Sequence, residues 1–275
     1  MSTHTGVGRR GGRAVDEACY RRTGPGTYES TPSARGAWTP DEQHMAAATG
    51  LVVEALVEHA RTDPAKRIAR ISLDILGTIH MGDVELATHV IRPGRRIELV
   101  ETTLRTRGRT SIVARAWRLA VADTSSVAGT PVAPMPGPAH AEPLAFDEWP
   151  DGYVQSIEAR TLPGRVPGSA RVWLRGTLPI IEGTPTSQLA RILALADVAN
   201  GIAPRSTPSD GPVTFPNVDL QLHLFRDPVG AWLGLDTLQT FGPSGTGLTS
   251  STMHDERGPF GRIEQALLVL PGGHA

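Results

Sequence analysis

RRIELVETTLRTRGRTSIVARAWRLAVAD, residues 95–123, has the pattern of two strands joined by a turn at Arg107-Gly108. Branched aliphatic residues and threonine recur through both segments, which is typical of strands. Upstream, GDVELATHVIRPG (82–94) and RIARISLDILGTI (67–79) have the same composition and are separated by glycine- and proline-containing turns. The sequence therefore predicts four successive antiparallel strands.

A long helix is predicted directly before these strands. In GAWTPDEQHMAAATGLVVEALVEHA (36–60), Thr39 has the position of an N-cap, Pro40 the first helical position and Glu42 the position three after the cap. This is the capping-box pattern, in which the cap and the third residue satisfy each other's backbone N–H groups. We therefore expect a helix over residues 40–61.

The same order of elements returns in the second half of the chain. GYVQSIEARTL (152–162) and ARVWLRG (170–176) indicate strands, Thr184 and Pro185 indicate the start of a helix, and a strand meander is predicted over residues 215–270. The two halves are offset by about 150 residues, which indicates a duplication. Residues 123–150 between them are predicted to be a linker, because closely spaced prolines exclude an interior helix or a central strand.

The predicted architecture is an α+β fold, the double hotdog. A sheet that curls around one long helix covers the apolar stripe of that helix, and two such units side by side remove exposed strand edges. We expect an N-terminal hotdog over residues 25–122, the linker over 123–150 and a C-terminal hotdog over 151–275. Residues 1–24, rich in Gly and Arg without periodicity, are expected to form a disordered tail.

Composition disfavours several classes of function. The 27 basic and 28 acidic side chains give a net charge of −1, so nucleic acid is not expected as a partner. Cys19 is the single cysteine and cannot close an intrachain disulfide, and no Cys/His spacing fits a zinc site. No apolar run has the length or the position of a secretory signal or a membrane span. We therefore expect a cytoplasmic protein without a membrane partner.

Three polar residues differ from their surroundings. Asp197 lies at the edge of the apolar stripe of the second helix, where an unpaired carboxylate costs several kcal/mol, unless it reaches solvent or caps the following loop. Gln265 shares its strand phase with apolar residues in GRIEQALLVL (261–270), where an amide often satisfies backbone groups. Asn217 lies in the polar phase of FPNVDLQLHL (215–224), and this pattern alone favours a turn residue.

Other polar residues have ordinary explanations. His44 titrates near neutrality and is a possible general acid or base, but without a partner visible in the sequence a solvent-facing or structural role is favoured. Asp219, Gln221 and His223 are assigned to the solvated side of their strand. The run GLTSSTM (247–253) contains no nucleophile elbow, so a serine hydrolase is disfavoured.

The order of elements, together with Asp197, Asn217 and Gln265, resembles the acyl-CoA thioesterase II type of the thioesterase superfamily, and more closely its actinobacterial members. The stretches that carry the resemblance are YESTPSARGAWTPDEQH (28–44), VIRPGRRIELVETTLRTRGRTSIVARA (90–116), ALADVANGI (194–202), FPNVDLQLHLFRDPVGAWLGL (215–235) and GRIEQALLVL (261–270). Family members carry a water-activating Asp, Thr or Ser, and Gln, which correspond here to Asp197, Asn217 and Gln265. Asn217 departs from the family's hydroxyl. The first helix has no clear counterpart of Asp197, so at most one competent site per chain is expected.

The resemblance implies hydrolysis of an acyl-CoA thioester to a free acid and a thiol, without a metal or redox cofactor. Asp197 would act as general base on a water, and the acyl chain would enter an apolar channel lined by Leu189, Leu193 and Ile263. Two alternatives stay open: an acyl-CoA-binding protein whose site has decayed, and an enoyl-thioester hydratase or dehydratase. The latter ranks lower because no Asp-x-x-x-x-His pair lies at a helix start. A homodimer is a further expectation.

Overall fold

The computed structural model describes residues 18–36, 39–146, 152–206 and 213–272. Within these ranges, thirteen strands form one large sheet and two short strands form a separate pair. The strands are β1 Tyr20–Gly24, β2 Thr27–Ser30, β3 Lys66–Ile75, β4 Asp83–Arg92, β5 Ile97–Thr106, β6 Arg109–Ala120, β7 Glu142–Leu144, β8 Ile157–Thr161, β9 Ser169–Gly176, β10 Val213–Thr214, β11 Asp219–Leu224, β12 Leu233–Phe241, β13 Thr246–Asp255, β14 Gly258–Leu268 and β15 Leu270–Pro271. The four strands predicted in the first half are all present, as β3 to β6.

The large sheet is continuous from one half of the chain to the other. Its order is β1-β2-β4-β5-β6-β3-β11-β14-β13-β12-β9-β8-β7, and the two halves join where β3 pairs with β11 in antiparallel register. At this junction Leu73 lies opposite Leu220, Ile71 lies opposite Leu222, and all four side chains are fully buried. A slip of one residue would turn these side chains to the other face, so their burial fixes the register.

The first helix, α1, comprises Met45–Ala60 and packs against β3, β4 and β5. Its N-cap is His44, so the predicted start at residue 40 with Thr39 as cap is wrong. Thr39 Oγ1 does donate to Glu42 Oε2 at 3.2 Å. The backbone is nevertheless extended there, because Glu42 and Gln43 form β-bridges to other segments. Tertiary pairing therefore overrides the local capping signal.

The second helical segment is interrupted. It consists of α2 Gln188–Leu193, a 3₁₀ turn Ala194–Val198 and α3 Ala199–Ile202. Its N-cap is Ser187 and not Thr184, because the Ser187 hydroxyl accepts a hydrogen bond from the Ala190 backbone N–H at 3.2 Å. Within the described ranges, no helix has the length and apolarity that a bilayer span requires.

Helix α1 and the second segment lie in close contact. A Cβ atom added at Gly50 of α1 would lie 3.0 Å from the Cβ of Ala194 and 2.5 Å from Cδ1 of Ile180. A residue without a side chain is therefore required at position 50, and the two helical segments pack directly on each other.

The expected disordered tail is corrected in part. Residues 1–17 lie outside the described residues, but residues 18–24 belong to the folded structure. Strand β1 pairs with β2, and Cys19 and Tyr20 are fully buried. Tyr20 Oη donates to Gln43 Oε1 at 2.6 Å, which ties the start of the described chain to the segment before α1.

The expected linker is also more ordered than its prolines suggest. Strand β7 adds the edge strand of the large sheet, and Met135 is buried in a cluster with Trp173 and Trp232. The indole N–H of Trp173 donates to the carbonyl of Pro136 at 2.8 Å. Residues 135–144 thus pack along the second half of the chain, residues 123–134 are exposed, and residues 147–150 lie outside the described residues.

Candidate active site

Asp197 lies in the 3₁₀ turn of the second helical segment and is buried, with 6% of its surface exposed. Burial raises the pKa of its carboxyl group above the ordinary value of 3.8, while His44 and the hydrogen bond from Asn217 lower the pKa less. A buried carboxylate needs hydrogen-bond donors to remain ionised. The structure supplies two, both from amide side chains.

The structure brings Asp197, Asn217 and Gln265 together. Asn217 Nδ2 donates to Asp197 Oδ1 at 2.9 Å, and Gln265 Nε2 donates to the same oxygen at 3.2 Å. Gln265 Nε2 also lies 3.4 Å from the Asp197 carbonyl oxygen. One carboxylate oxygen is therefore held by two amides, and no side-chain donor from the described residues bonds to the other oxygen, Oδ2.

Asn217 reaches the site because the strand pairing is irregular. Asn217 bridges to Leu267 and Gln221 lies opposite Glu264, so four steps along one chain match three along its partner. One extra residue of this kind is a β-bulge, which re-aims side chains. The Asp219 carboxylate fills the gap in the ladder, because its Oδ1 accepts the backbone N–H of Ala266 at 2.7 Å.

The bulge corrects the assignment of this strand by phase. Val218 is 50% exposed, although it shares the apolar phase with the buried Leu220. Asp219 and Gln221, expected on a solvated face, are half-buried and bonded to each other at 3.1 Å, whereas His223 is exposed as expected. Alternation holds within β11 and fails before it, which is where Asn217 lies.

His44, named from the sequence as a possible general acid or base without a visible partner, also contacts Asp197. As the cap of α1, its Nδ1 accepts the backbone N–H of Ala46 at 3.1 Å, so the structural role was foreseen. The same Nδ1 lies 3.6 Å from Asp197 Oδ2, a contact made only because the two helical segments pack together. Burial lowers the pKa of His44, which outweighs the opposite effect of the Asp197 carboxylate. The imidazole is therefore neutral near pH 7.

A buried tyrosine packs against the imidazole, and a buried cysteine lies near that tyrosine. The ring of Tyr153 lies 5.4 Å from the His44 ring at an interplanar angle of 37°. Burial, Cys19 and Asp197 all raise the pKa of Tyr153, so its phenol stays protonated. Burial raises the pKa of Cys19 to about 12, so this thiol is not available as a thiolate nucleophile.

The site has an incomplete hydrogen-bond network. Gln265 is fully buried, and its Oε1 has no hydrogen-bond partner among the described residues. A buried acceptor without a donor costs about 1–3 kcal/mol. Gln265 Oε1 and Asp197 Oδ2 are therefore both suited to bind a donor such as water.

An acidic residue of α1, Glu54, lies as far from its helix cap as Asp197 does from its own. Glu54 lies ten residues after the cap His44, as Asp197 lies ten residues after the cap Ser187. Glu54 is 8% exposed, and its Oε1 accepts the backbone N–H of Ser187. Its carboxylate thus serves a helix N-terminus, and no amide side chain of the described residues bonds to it.

Two family models match the chain. The model for the acyl-CoA thioesterase N-terminal domain matches residues 34–119, and the model for the acyl-CoA thioesterase C-terminal domain matches residues 138–269. The chain belongs to the acyl-CoA thioesterase family. Both helical segments and the whole of β11 to β14 fall within the matched ranges of this family member.

Solved structures share the fold of this family member at low sequence identity. A protein of unknown function with a hot dog fold from Alicyclobacillus acidocaldarius has a TM-score of 0.72 at 14% identity, over 94% of this chain and 98% of that one. An acyl-CoA thioesterase II from Mycobacterium marinum has a TM-score of 0.66 at 15% identity, over 93% and 97%. An N-terminal dehydratase from the difficidin assembly line has a TM-score of 0.53 at 10% identity, over 80% and 84%. Among curated protein sequences, none matches the chain.

The three residues predicted to line an acyl channel in this thioesterase-family protein lie in or beside the core. Leu193 and Ile263 are fully buried, and Leu189 is half-buried against the same cluster. A cavity of about 300 Å³ lies elsewhere, between the β1–β2 hairpin and the last turns of α1, near Arg22, Tyr28 and His59. The acyl-binding role of Leu189, Leu193 and Ile263 therefore stays a prediction. Among the described residues, no group of His, Cys, Asp and Glu side chains could hold a metal ion.

Proposed function

We propose that the protein hydrolyses acyl-CoA thioesters to a free acid and CoA, with Asp197 as the general base. The proposal rests on the observation that the two carboxylate oxygens of Asp197 have different partners. Oδ1 accepts from Asn217 and Gln265, no side-chain donor of the described residues bonds to Oδ2, and we assign Oδ2 to the attacking water. Because burial raises the pKa of Asp197, the carboxylate is a stronger base than an exposed aspartate.

The chemistry needs one water and no redox step. The water oxygen adds to the thioester carbonyl carbon while its proton passes to Asp197 Oδ2. The C–S bond then breaks as the carbonyl re-forms, and the proton on Asp197 passes to the departing thiolate. General base catalysis of this kind contributes about 10²–10⁴-fold.

Asn217 is compatible with this role although family members have a hydroxyl at the corresponding position. A hydroxyl has one proton to donate, whereas an amide has two. Asn217 Nδ2 uses both, because it donates to Asp197 Oδ1 at 2.9 Å and to the Asp219 carbonyl at 3.1 Å. The Asn217 amide therefore binds the Asp197 carboxylate and is itself held by the backbone of the bulge.

A second candidate function is hydration or dehydration of an enoyl thioester. The contact of His44 with Asp197 favours it, because this chemistry pairs a histidine with an acid, and the sequence alone offered no such pair. Against it, His44 Nδ1 already accepts a hydrogen bond from Ala46, and Asp197 is bound by two amides that hold a carboxylate ionised. The family matches also favour hydrolysis.

We further propose that the fold is a double hotdog, with one unit before and one after the segment 123–150. The junction of the two halves at β3 and β11 and the equivalent placement of Glu54 and Asp197 support this division. A homodimer and a cytoplasmic location stay predictions from the sequence.

The test measures two reactions, CoA release and enoyl hydration, in the wild type and in Asp197→Asn. Free CoA release is followed with a thiol reagent over acyl-CoA substrates of 2 to 18 carbons, and hydration is followed by loss of enoyl absorbance with crotonyl-CoA. We expect CoA release by the wild type and a loss of about 10²-fold or more in Asp197→Asn. Hydration that exceeds CoA release would favour the second candidate. Tight acyl-CoA binding without either reaction would favour the decayed, binding-only protein.

A further inference from the structure

The imidazole of His44 has one nitrogen with a fixed role. Nδ1 accepts the backbone N–H of Ala46 at 3.1 Å, and a nitrogen that accepts a hydrogen bond carries no proton. Because the ring is neutral near pH 7, its proton lies on Nε2. No hydrogen bond joins Nε2 to any residue of the described ranges. His44 thus presents one uncommitted N–H donor.

The position of the ring is fixed on two sides. Tyr153, which is 4% exposed, packs against it with ring centroids 5.4 Å apart. Nδ1 lies 3.6 Å from Asp197 Oδ2, the carboxylate oxygen that the amides leave open. The N–H donor Nε2 therefore lies across the ring from the nitrogen that faces Asp197 Oδ2.

A buried acceptor without a partner belongs to the residue that binds the other oxygen of the Asp197 carboxylate. Gln265 is fully buried, its Nε2 donates to Asp197 Oδ1, and its Oε1 has no partner among the described residues. A water that donates to Asp197 Oδ2 or to Gln265 Oε1 would satisfy these acceptors. The attacking oxygen would then lie on the carboxylate side of His44.

We propose that His44 binds the thioester carbonyl oxygen through Nε2–H and stabilises the negative charge that develops there as water adds. This inference rests on the proposed hydrolysis and supplies a donor for the developing oxyanion. A neutral imidazole can donate to an oxyanion and keep its proton throughout. Asp197 takes the water proton and returns it to the thiolate, so no proton passes through His44.

The kinetic test separates two roles of His44: the cap of α1, made by Nδ1, and the proposed donor to the carbonyl oxygen, Nε2. His44→Ser keeps an oxygen that can cap α1 but has no donor at the position of Nε2, whereas His44→Ala removes both. We expect both variants to lose about 10²-fold or more in kcat with a smaller change in KM. The melting temperature should fall further in His44→Ala than in His44→Ser. A His44→Ser enzyme within threefold of the wild-type kcat would overturn the proposal.

A spectroscopic test does not depend on turnover. Octanoyl-CoA and palmitoyl-CoA labelled with ¹³C at the thioester carbonyl are bound to Asp197→Asn and to Asp197→Asn/His44→Ser, and the carbonyl infrared band is compared. We expect the band at lower wavenumber when His44 is present. The same band position in both proteins would overturn the proposal, even if the wild type hydrolyses acyl-CoA.

The two tests distinguish failure of this inference from failure of the proposed function. A His44-dependent band shift in a protein that releases no CoA would contradict the hydrolysis and support the carbonyl contact. Failure of both labelled thioesters to bind, measured by calorimetry, would overturn both proposals.

Discussion

The Glu54 carboxylate accepts the backbone N–H of Ser187, the cap of the opposite helical segment. This contact mirrors the contact of Asp197 with His44, the cap of α1. Each carboxylate lies ten residues after its own cap, but Ser187 donates a backbone hydrogen bond, whereas His44 presents a side-chain nitrogen at 3.6 Å. The two contacts differ in what surrounds the carboxylate. Amide side chains bind Asp197, whereas Glu54 binds the helix N-terminus, where a negative charge is stabilising.

Substitution of Glu54 tests whether this contact is structural. Glu54→Gln keeps an acceptor for the Ser187 N–H and should lower the free energy of unfolding by less than about 1 kcal/mol, whereas Glu54→Leu should cost about 1–3 kcal/mol because a buried N–H loses its partner. Urea denaturation measures both. CoA release per folded molecule should be unchanged in Glu54→Gln. A loss like that of Asp197→Asn would instead assign Glu54 to the chemistry.

Asp197→Asn should stabilise the protein while it abolishes hydrolysis. Burial raises the pKa of Asp197 in the folded state, so ionisation at neutral pH costs stability, and this cost disappears as the pH falls below the unfolded value near 3.8. Asparagine keeps an acceptor for both amides. We expect a gain of about 1 kcal/mol in the free energy of unfolding at pH 7. Urea titrations at pH 7 and pH 4 should give a gain that shrinks at the lower pH; equal gains would contradict the linkage.

The rate of hydrolysis should depend on pH through one acid limb. Asp197 must be ionised and His44 neutral; burial raises the pKa of Asp197 above 3.8 and lowers the pKa of His44 below 6.5, so kcat/KM should rise with pH along a limb whose midpoint lies above 3.8. Tyr153 and Cys19 stay protonated over this range. A profile of kcat/KM from pH 4 to pH 9 measures the limb. A limb with its midpoint at or below pH 3.8 would contradict a buried Asp197 as the base.

Arg118 is predicted to hold the C-terminal end of α1. It is 1% exposed, pairs with Glu98, and its Nη2 donates to the carbonyls of Ala60 at 3.1 Å and Asp63 at 2.6 Å. Arg118→Met should lower the free energy of unfolding by about 3–5 kcal/mol, because Glu98 is left buried without its main partner. The control is Arg115→Met on the same strand, whose side chain is 51% exposed, and it should cost less than about 1 kcal/mol. Equal losses would contradict the prediction.

The sequence predicted the strands well and the helix starts poorly. Alternating β-branched residues are read directly from the chain, and β3 to β6 lie where they were expected. The caps Thr39 and Thr184 fit local rules, but bridges from Glu42 and Gln43 hold the chain extended up to His44. Local propensity could not reveal a constraint that comes from distant segments.

The site was accessible to sequence reasoning only through resemblance. Asp197 and Gln265 could be noticed as polar residues beside apolar stripes, but nothing in their spacing says that they meet. Strand phase assigned Asn217 to the wrong side, because a bulge of one residue leaves no clear sequence signal. His44 was considered but assigned a structural or solvent-facing role, because its partner lies in the other half of the chain and meets it only when the helices pack.

The identity of residue 217 tests whether an amide can replace the family's hydroxyl. Asn217→Thr retains one donor for Asp197 Oδ1 and should keep kcat/KM within about tenfold, because Gln265 still binds the same oxygen. Asn217→Leu removes the donor and should lower kcat/KM by about 10–100-fold, since a hydrogen bond to a charged group contributes about 1.5–3 kcal/mol. Val218→Ala, next in sequence but 50% exposed, is the matched control and should leave kcat/KM unchanged. If Asn217→Leu matched the wild type, the carboxylate would not depend on this amide, and Gln265 alone would position the base.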